Sequence, residues 1–458
     1  MFLNRRHFIQ SAAALPALLP GEARAAYQAK LLPSQKEVWD WQAWMAKLGP
    51  KYTGNDAHGT FVEFLAKGLG EAGWAMGREH YTFPRWDATR WGLRIAPAAG
   101  SAFSAPVTSY FPYSGETPAA GVTGKLVYAG SAPKFEISER LRGNIALIDC
   151  PTNERPYGEW YAQWGSYPRN LRFPKSVRPA RSPVNGLQEF LKAGAVGVVL
   201  AWTDISDENA ADHYGPFSRP RQGIPGLWVG RGTGARLREM AAAGANATLT
   251  LEATVTPDTP TDTLIATLPG VSADELIIVN THTDGPNAIE ENGGIGLLAL
   301  AKYFARIPQE QRRRTLAFVL TTGHFAGPWV ASIRGVIERH PELVSKAVAA
   351  VTVEHLGCNE WADDASFRYR ATGRNELAVA LSPKKRPADV MMKALEGSNN
   401  QGTALVNPVK GGFLGEGSSL ARAGIPTIGY MPMPNYLLAG PKDGCIEKVK
   451  CGFAARTD

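Results

Sequence analysis

The stretch Leu276-Ile277-Ile278-Val279-Asn280-Thr281-His282-Thr283-Asp284 decides how this chain folds. Four apolar residues in a row, without polar alternation, read as a strand buried on both faces. The run then breaks into a histidine and an aspartate. The same texture recurs at Leu316–Leu320, which leads into Thr321-Thr322-Gly323-His324, and at Val348–Val353, which leads into Glu354-His355. A further apolar run covers Leu264–Leu268, and helical periodicity spans 293–306, 328–340 and 387–396. Apolar strands alternating with helices predict an α/β fold: a mostly parallel mixed sheet flanked by helices. In such sheets the ligand crevice lies beyond the carboxyl ends of the strands. The residues to watch are therefore His282, Asp284, His324, Glu354 and His355, with Glu290-Glu291 opening the helix after the first strand. Histidine and carboxylate together are a zinc donor set. Singly, each is more often a structural residue.

Working towards the N-terminus, residues 36–73 have helical spacing (Trp41, Trp44, Leu48, then Phe61, Phe64, Leu65, Leu69), divided by a turn at Lys51-Tyr52-Thr53-Gly54-Asn55. A strand is expected over Glu79–Ile95. The texture changes over 104–257, with short strands at 125–128, 144–149, 194–200, 224–229 and 247–252 and helices at 186–192 and 234–243. A loop rich in Trp, Tyr, Pro and Arg, 157–183, has the composition to reach over a site. The chain opens with Asn4-Arg5-Arg6-His7-Phe8, a mildly apolar run to Leu19, and Ala23-Arg24-Ala25. That run is too short to span about 30 Å of hydrocarbon. The pattern predicts a cleaved twin-arginine export signal over 1–25 and a periplasmic or secreted product without an integral membrane segment.

The composition excludes disorder and collagen-like repeats: of 458 residues, 44% are hydrophobic and 20% charged. Lys plus Arg (49) exceed Asp plus Glu (42), giving +7. The basic tracts, Arg312–Arg314 and Lys384–Arg386, are short and far apart. They predict solvated faces and no nucleic-acid partner, since binding by counterion release needs several aligned cations. Four cysteines, Cys150, Cys358, Cys445 and Cys451, fit an oxidising compartment and leave three full pairings open.

Trp39–Thr53, Leu264–His355 and Gly415–Tyr430 (GEGSSLARAGIPTIGY) resemble the exported zinc aminopeptidases of metallopeptidase family twenty-eight (clan MH). The order of strands and helices in 104–257 resembles an inserted β-rich α+β protease-associated domain. The resemblance implies a discontinuous aminopeptidase-like domain over 26–103 and 258–458, with 104–257 as the insert. It implies that His282 ligates zinc, that Asp284 orients its imidazole, that Glu290 stands where the family has a bridging aspartate, and that Glu354 replaces the metal-binding aspartate after the third strand. Where the family has a Glu-Glu pair, general base then ligand, this chain has Gly323-His324. His324 is expected to ligate, but Gly323 has no group that takes a proton. No histidine stands near Tyr436-Leu437-Leu438, where the family has its last ligand. The metal set expected here is His282, Glu290, His324 and Glu354, a count favouring one zinc ion over two. Glu291 is the expected replacement base, with His355, Glu360 and Glu416 nearby in sequence, and His355 is also a candidate to replace the missing last ligand.

Three functions stay open on this reading. The first is a metal-dependent hydrolase of peptide or amino-acid-conjugate amides. The second is a non-catalytic binding protein on the same scaffold, as the transferrin receptor exemplifies for this family. The third is a single-zinc acyl-transfer or cyclising enzyme, like glutaminyl cyclases of related fold. The oligomeric state is not legible.

Overall fold

The computed structural model describes residues 27–152, 162–164, 184–217, 219–326, 328–357, 359–395, 403–408 and 412–432. The expected export signal, most of the 157–183 loop, Cys358, Cys445, Cys451 and residues 436–438 lie outside them. The architecture is a mixed α/β sheet with helices on both faces, as the alternation of apolar runs predicts. At its centre, Ser272–His282 lies between Arg314–Thr321 and Ala347–Val353, parallel to both, and Ala347–Val353 is followed by parallel Thr427–Pro432.

Side-chain alternation explains why these strands are apolar throughout. Ile277, Val279, Phe318 and Leu320 pack on one face with Met45, Phe61, Leu65 and Leu298 from the helices Gln35–Lys47, Asp56–Glu71 and Gly293–Ala305. Leu276, Ile278, Ala317 and Val319 pack on the other face with Ile333, Val336 and Leu420 from Ser332–Arg339 and Gly417–Arg422. Each fully buried side chain of this size is worth about 1.5–3 kcal/mol. The first two helices start where a cap is available: Ser34 Oγ accepts from Glu37 N, and Asn55 Oδ1 from His58 N.

The region 104–257 contributes a second parallel block, Val122–Ser131, Ile145–Cys150, Gly197–Trp202 and Gly226–Val229, with separate buried clusters on its two faces. The two blocks are joined by a long antiparallel ribbon, Ala75–Ala96 against Asn246–Leu268. The sequence suggested separate strands at 247–252 and 264–268, with a boundary at 257/258. Instead one strand runs through. A register shift between Phe83/Arg85 and their partners Thr259/Thr256 takes Pro84, Pro257 and Asp258 out of the ladder, so the prolines interrupt pairing without ending it. Among the described residues, no helix is long and apolar enough to cross a membrane.

Candidate metal centre

Sheet register brings the polar strand ends together. His282 is paired with Thr321, and Asn280 with Thr352. The residues that follow on the neighbouring strands, His324 and Glu354-His355, thus flank His282 on either side. Glu290 arrives from the loop before the Gly293–Ala305 helix. His282 Nε2 lies 4.0 Å from Glu290 Oε1 and 3.7 Å from Glu354 Oε2. His355 Nε2 lies 3.3 Å from Glu290 Oε2 and 3.8 Å from Glu354 Oε2. His324 Nε2 lies 3.8 Å from Glu290 Oε1.

Each imidazole is held from behind, which fixes its tautomer. His282 Nδ1 donates to the Asp284 carbonyl at 2.8 Å, His355 Nδ1 to the Pro432 carbonyl at 3.3 Å, and His324 Nδ1 to Glu416 Oε1 at 3.1 Å. All three therefore turn Nε2 towards the carboxylates. His355 does so with φ 55°, a conformation few non-glycine residues adopt and one concentrated at functional sites. Asp284 orients His282 through its main chain, while its carboxylate accepts from Thr53 Oγ1 (2.5 Å) and Phe325 N (2.8 Å). Glu354 Oε1 accepts from Glu416 N at 2.9 Å, leaving Oε2 turned inward. That approach requires Gly415, whose Cβ would fall 2.2 Å from Glu354 Oε1.

Burial opposes charge on His324, but the hydrogen bond to Glu416 and the charges of Glu416, Glu290 and Asp284 outweigh it and hold the imidazole up at about 9. Burial likewise pushes Glu416 upward, yet His324 and the Ser332 hydroxyl hold it near about 2. His355 is raised because Glu290 and Glu354 outweigh its burial. Proton affinities of this kind mark a cluster of carboxylates facing imidazoles, and a cation among them would oppose those protons.

The donor set fits a divalent ion. Among the described residues, His282 Nε2, His355 Nε2 and Glu290 Oε2 are buried without a hydrogen-bond partner, a costly state that a metal would relieve. Donor atoms within 4.8 Å of one another form two groups that share His282, one with Glu290 and His324 and one with Glu354 and His355. The contacts of 3.3–4.0 Å among these residues are near the roughly 3.4 Å that separates two ligands held about 2.1 Å from one ion. The structure thus brings together the four residues expected as ligands, and with them His355, the candidate for the missing last one. It also shows why Glu416 matters, as the acceptor behind His324.

Glu291 and Glu360 are each tied to partners outside the cluster. Glu291 is fully buried with its carboxylate 2.6 Å from the equally buried Lys51 Nζ, and burial pushes it up to about 7 even against that ammonium. Glu360 lies on the hairpin Asn359–Asp363/Tyr369–Asn375, bonded to Thr372 and Arg374. Lys51 and Thr53 were missed as site residues. Their only signal was a lysine in a turn between two apolar helices. Phe217 was missed too: from the 104–257 region its ring reaches within 4.9 Å of the His324 ring and stacks on Phe325 at 4.6 Å.

Fold and site together define an α/β protein with a histidine–carboxylate cluster at the carboxyl ends of three adjacent parallel strands. The sequence matches no protein-family model and no curated protein. Solved structures share the fold. A zinc aminopeptidase from Bacillus subtilis superposes with TM-score 0.61 and 15% identity, over 88% of this chain and 86% of that one. A Peptidase M28 precursor from Shewanella amazonensis SB2B gives 0.61 and 18% over 89% and 90%, and an aminopeptidase from Aneurinibacillus sp. strain AM-1 gives 0.57 and 16% over 91% and 89%. The chain has the fold of these aminopeptidases.

Proposed function

We propose that this protein is an exported, metal-dependent hydrolase of amide bonds in peptides or amino-acid conjugates. One observation carries the reading: the inward-facing Nε2 atoms of His282 and His355 meet the carboxylates of Glu290 and Glu354, with their outer atoms already satisfied. Zinc suits this mixture of imidazole and carboxylate, and one ion suits the donor count. When bound, such an ion polarises a carbonyl and makes water more acidic. The protein's own part is to orient the donors and exclude bulk water from all sides but that of His324. Glu291, in its ion pair with Lys51, steadies the loop that carries Glu290. The 104–257 region acts as a protease-associated-like insert whose Tyr214 and Phe217 wall the approach to the site. The kinship in fold with zinc aminopeptidases supports the direction of this proposal by analogy, and the paired arginines at 5 and 6 support export.

A second reading, a binding protein that holds a ligand without turnover, is favoured by Gly323 in place of a proton-accepting side chain. Elemental analysis of dialysed protein, together with amine release from a panel of aminoacyl amides and N-acyl amino acids, separates the two. The hydrolase holds about one equivalent of metal and releases amine. Metal without amine release supports the binder, and absence of metal overturns the metal-centre reading.

A further inference from the structure

We propose that Asn292 is a positioning residue for the metal centre: it holds Glu290 at a set distance from the Glu354-His355 segment and so governs how tightly the cluster takes up a divalent ion. This role rests on the metal-centre reading above. It adds a determinant of affinity that lies outside the donor set.

The cluster is assembled from pieces that the chain keeps apart. Glu290 sits on the loop between the strand Ser272–His282 and the helix Gly293–Ala305, whereas Glu354 and His355 follow the strand Ala347–Val353. They meet where His355 Nε2 comes within 3.3 Å of Glu290 Oε2. The pairing of the two strands ends short of this contact, at Asn280 and Thr352. Sheet register alone therefore does not set the gap.

Local bonds fix the Glu290 loop on its own side. Asn287 Oδ1 accepts from Ile289 N at 2.8 Å and from Glu290 N at 3.1 Å, and Gln42 Nε2 donates to the Ala288 carbonyl at 2.6 Å. Asn292 reaches across. Its Nδ2 donates to the Leu356 carbonyl and its Oδ1 accepts from the Leu356 N–H, both at 2.6 Å. A carboxamide carries a donor and an acceptor, and placing both on one residue fixes orientation as well as distance.

This partner sets Asn292 apart from an ordinary helix cap. It occupies the N-cap of the Gly293–Ala305 helix, where asparagine ordinarily accepts from an N–H of the first turn. Here the side chain makes no cap bond. It is 2% exposed, and its polar atoms go instead to the residue that follows His355. A cap would serve the helix alone; the bridge to Leu356 serves the spacing of the cluster.

His355 depends on that bridge. Its φ of 55° is a conformation that persists only where the surroundings over-determine it. The ring is tied through Nδ1 to the Pro432 carbonyl, and the main chain is tied through Leu356 to Asn292. The helix start lies hard against the same strand end, since a Cβ on Gly293 would fall 2.5 Å from the Val353 carbonyl oxygen. Residues that orient metal donors from behind change affinity by about 10–100-fold when removed.

The test compares the wild type with Asn292→Ala, which removes both bonds, and Asn292→Gln, which moves the carboxamide out by one methylene. Zinc affinity is read by competition with a chromophoric chelator, donor geometry by the visible absorption of cobalt-loaded protein, and folding by near-ultraviolet circular dichroism. The expected result for folded Asn292→Ala is zinc bound at the wild-type stoichiometry but about 10–100-fold more weakly, with cobalt bands changed in position or intensity. A role confined to stability would move neither readout in folded protein. Wild-type affinity or unchanged cobalt bands in folded Asn292→Ala therefore overturns the inference, while the metal-centre reading stands on the wild type. Where Asn292→Ala does not fold, the same readouts on Asn292→Gln decide by the same criteria. Failure of both variants to fold overturns the inference too, by making Asn292 a residue of the fold. A wild type that binds neither zinc nor cobalt overturns the metal-centre reading itself.

Discussion

At the scale of single residues, the site's chemistry follows from which atom of each imidazole is tied back. His282 and His355 give their Nδ1 protons to carbonyls and turn a lone pair inward. His58 shows the opposite outcome: its Nδ1 accepts from Gly54 N and its Nε2 meets Thr283 Oγ1, so both nitrogens are used in packing and burial lowers its pKa. Loading an ion requires His355 neutral, yet Glu290 and Glu354 raise its proton affinity when no ion is present. Binding should therefore release protons near neutral pH and weaken as the solution is acidified from pH 8 to 6. Calorimetric titration with zinc in buffers of different ionisation enthalpy reads this directly. Equal affinity at both pH values, with no proton release, would contradict it. The buried Lys51–Glu291 pair makes a second residue-scale prediction. Lys51→Met alone leaves Glu291 without its cation and should cost about 3–5 kcal/mol of unfolding free energy, whereas Lys51→Met with Glu291→Leu should recover most of it. Denaturant unfolding of the two variants decides, and equal losses in both would count against the pair.

At the scale of elements, Gly323 is constrained by its surroundings. Its φ is +92°, and a Cβ there would fall 2.4 Å from Val330 Cγ1. Gly323→Glu should therefore fail to restore a base and should destabilise by about 2 kcal/mol or more. A variant with native melting temperature and raised turnover would refute that. The Ser332–Arg339 helix docks on the ribbon through His340, whose ring contacts Glu79 and Glu342 beside Arg339. Burial lowers the His340 pKa, but both glutamates outweigh it, and the folded value is raised. A raised histidine stabilises fully below its unfolded pKa of about 6.5 and loses that contribution as pH rises through the folded value. Stability of His340→Gln relative to wild type should accordingly be lowest in acid and approach it in alkali. These elements also show what was legible. The core strands were read correctly because four to six apolar residues with no polar alternation have few other uses. The continuity of Asn246–Leu268 was not, because Pro257 and Pro260 signal an end unless the strand itself bulges, as it does at Pro257-Asp258 opposite Pro84. Likewise His282, Glu290, His324 and Glu354 were visible at strand and helix ends. Which of these side chains meet, and that His355 turns in beside them at φ 55°, depends on local backbone geometry, which spacing does not encode.

At the scale of the whole molecule, two parallel blocks are held by one ribbon, so that side chains from 104–257 meet the sheet ends of the other block. Tyr214 stacks on Tyr52 at 4.3 Å, and Phe217 reaches His324. Phe217→Ala should change KM and side-chain preference several-fold while leaving metal content intact. Unchanged preference across the aminoacyl-amide panel would remove this region from the substrate path. The central claim is that the strand ends form a metal centre, and metal stoichiometry of the dialysed protein beside His282→Ala and Glu354→Ala tests it most directly. The account predicts about one zinc per chain in the wild type and a small fraction of that in both folded variants. Equal metal in all three, or none in the wild type, would contradict it.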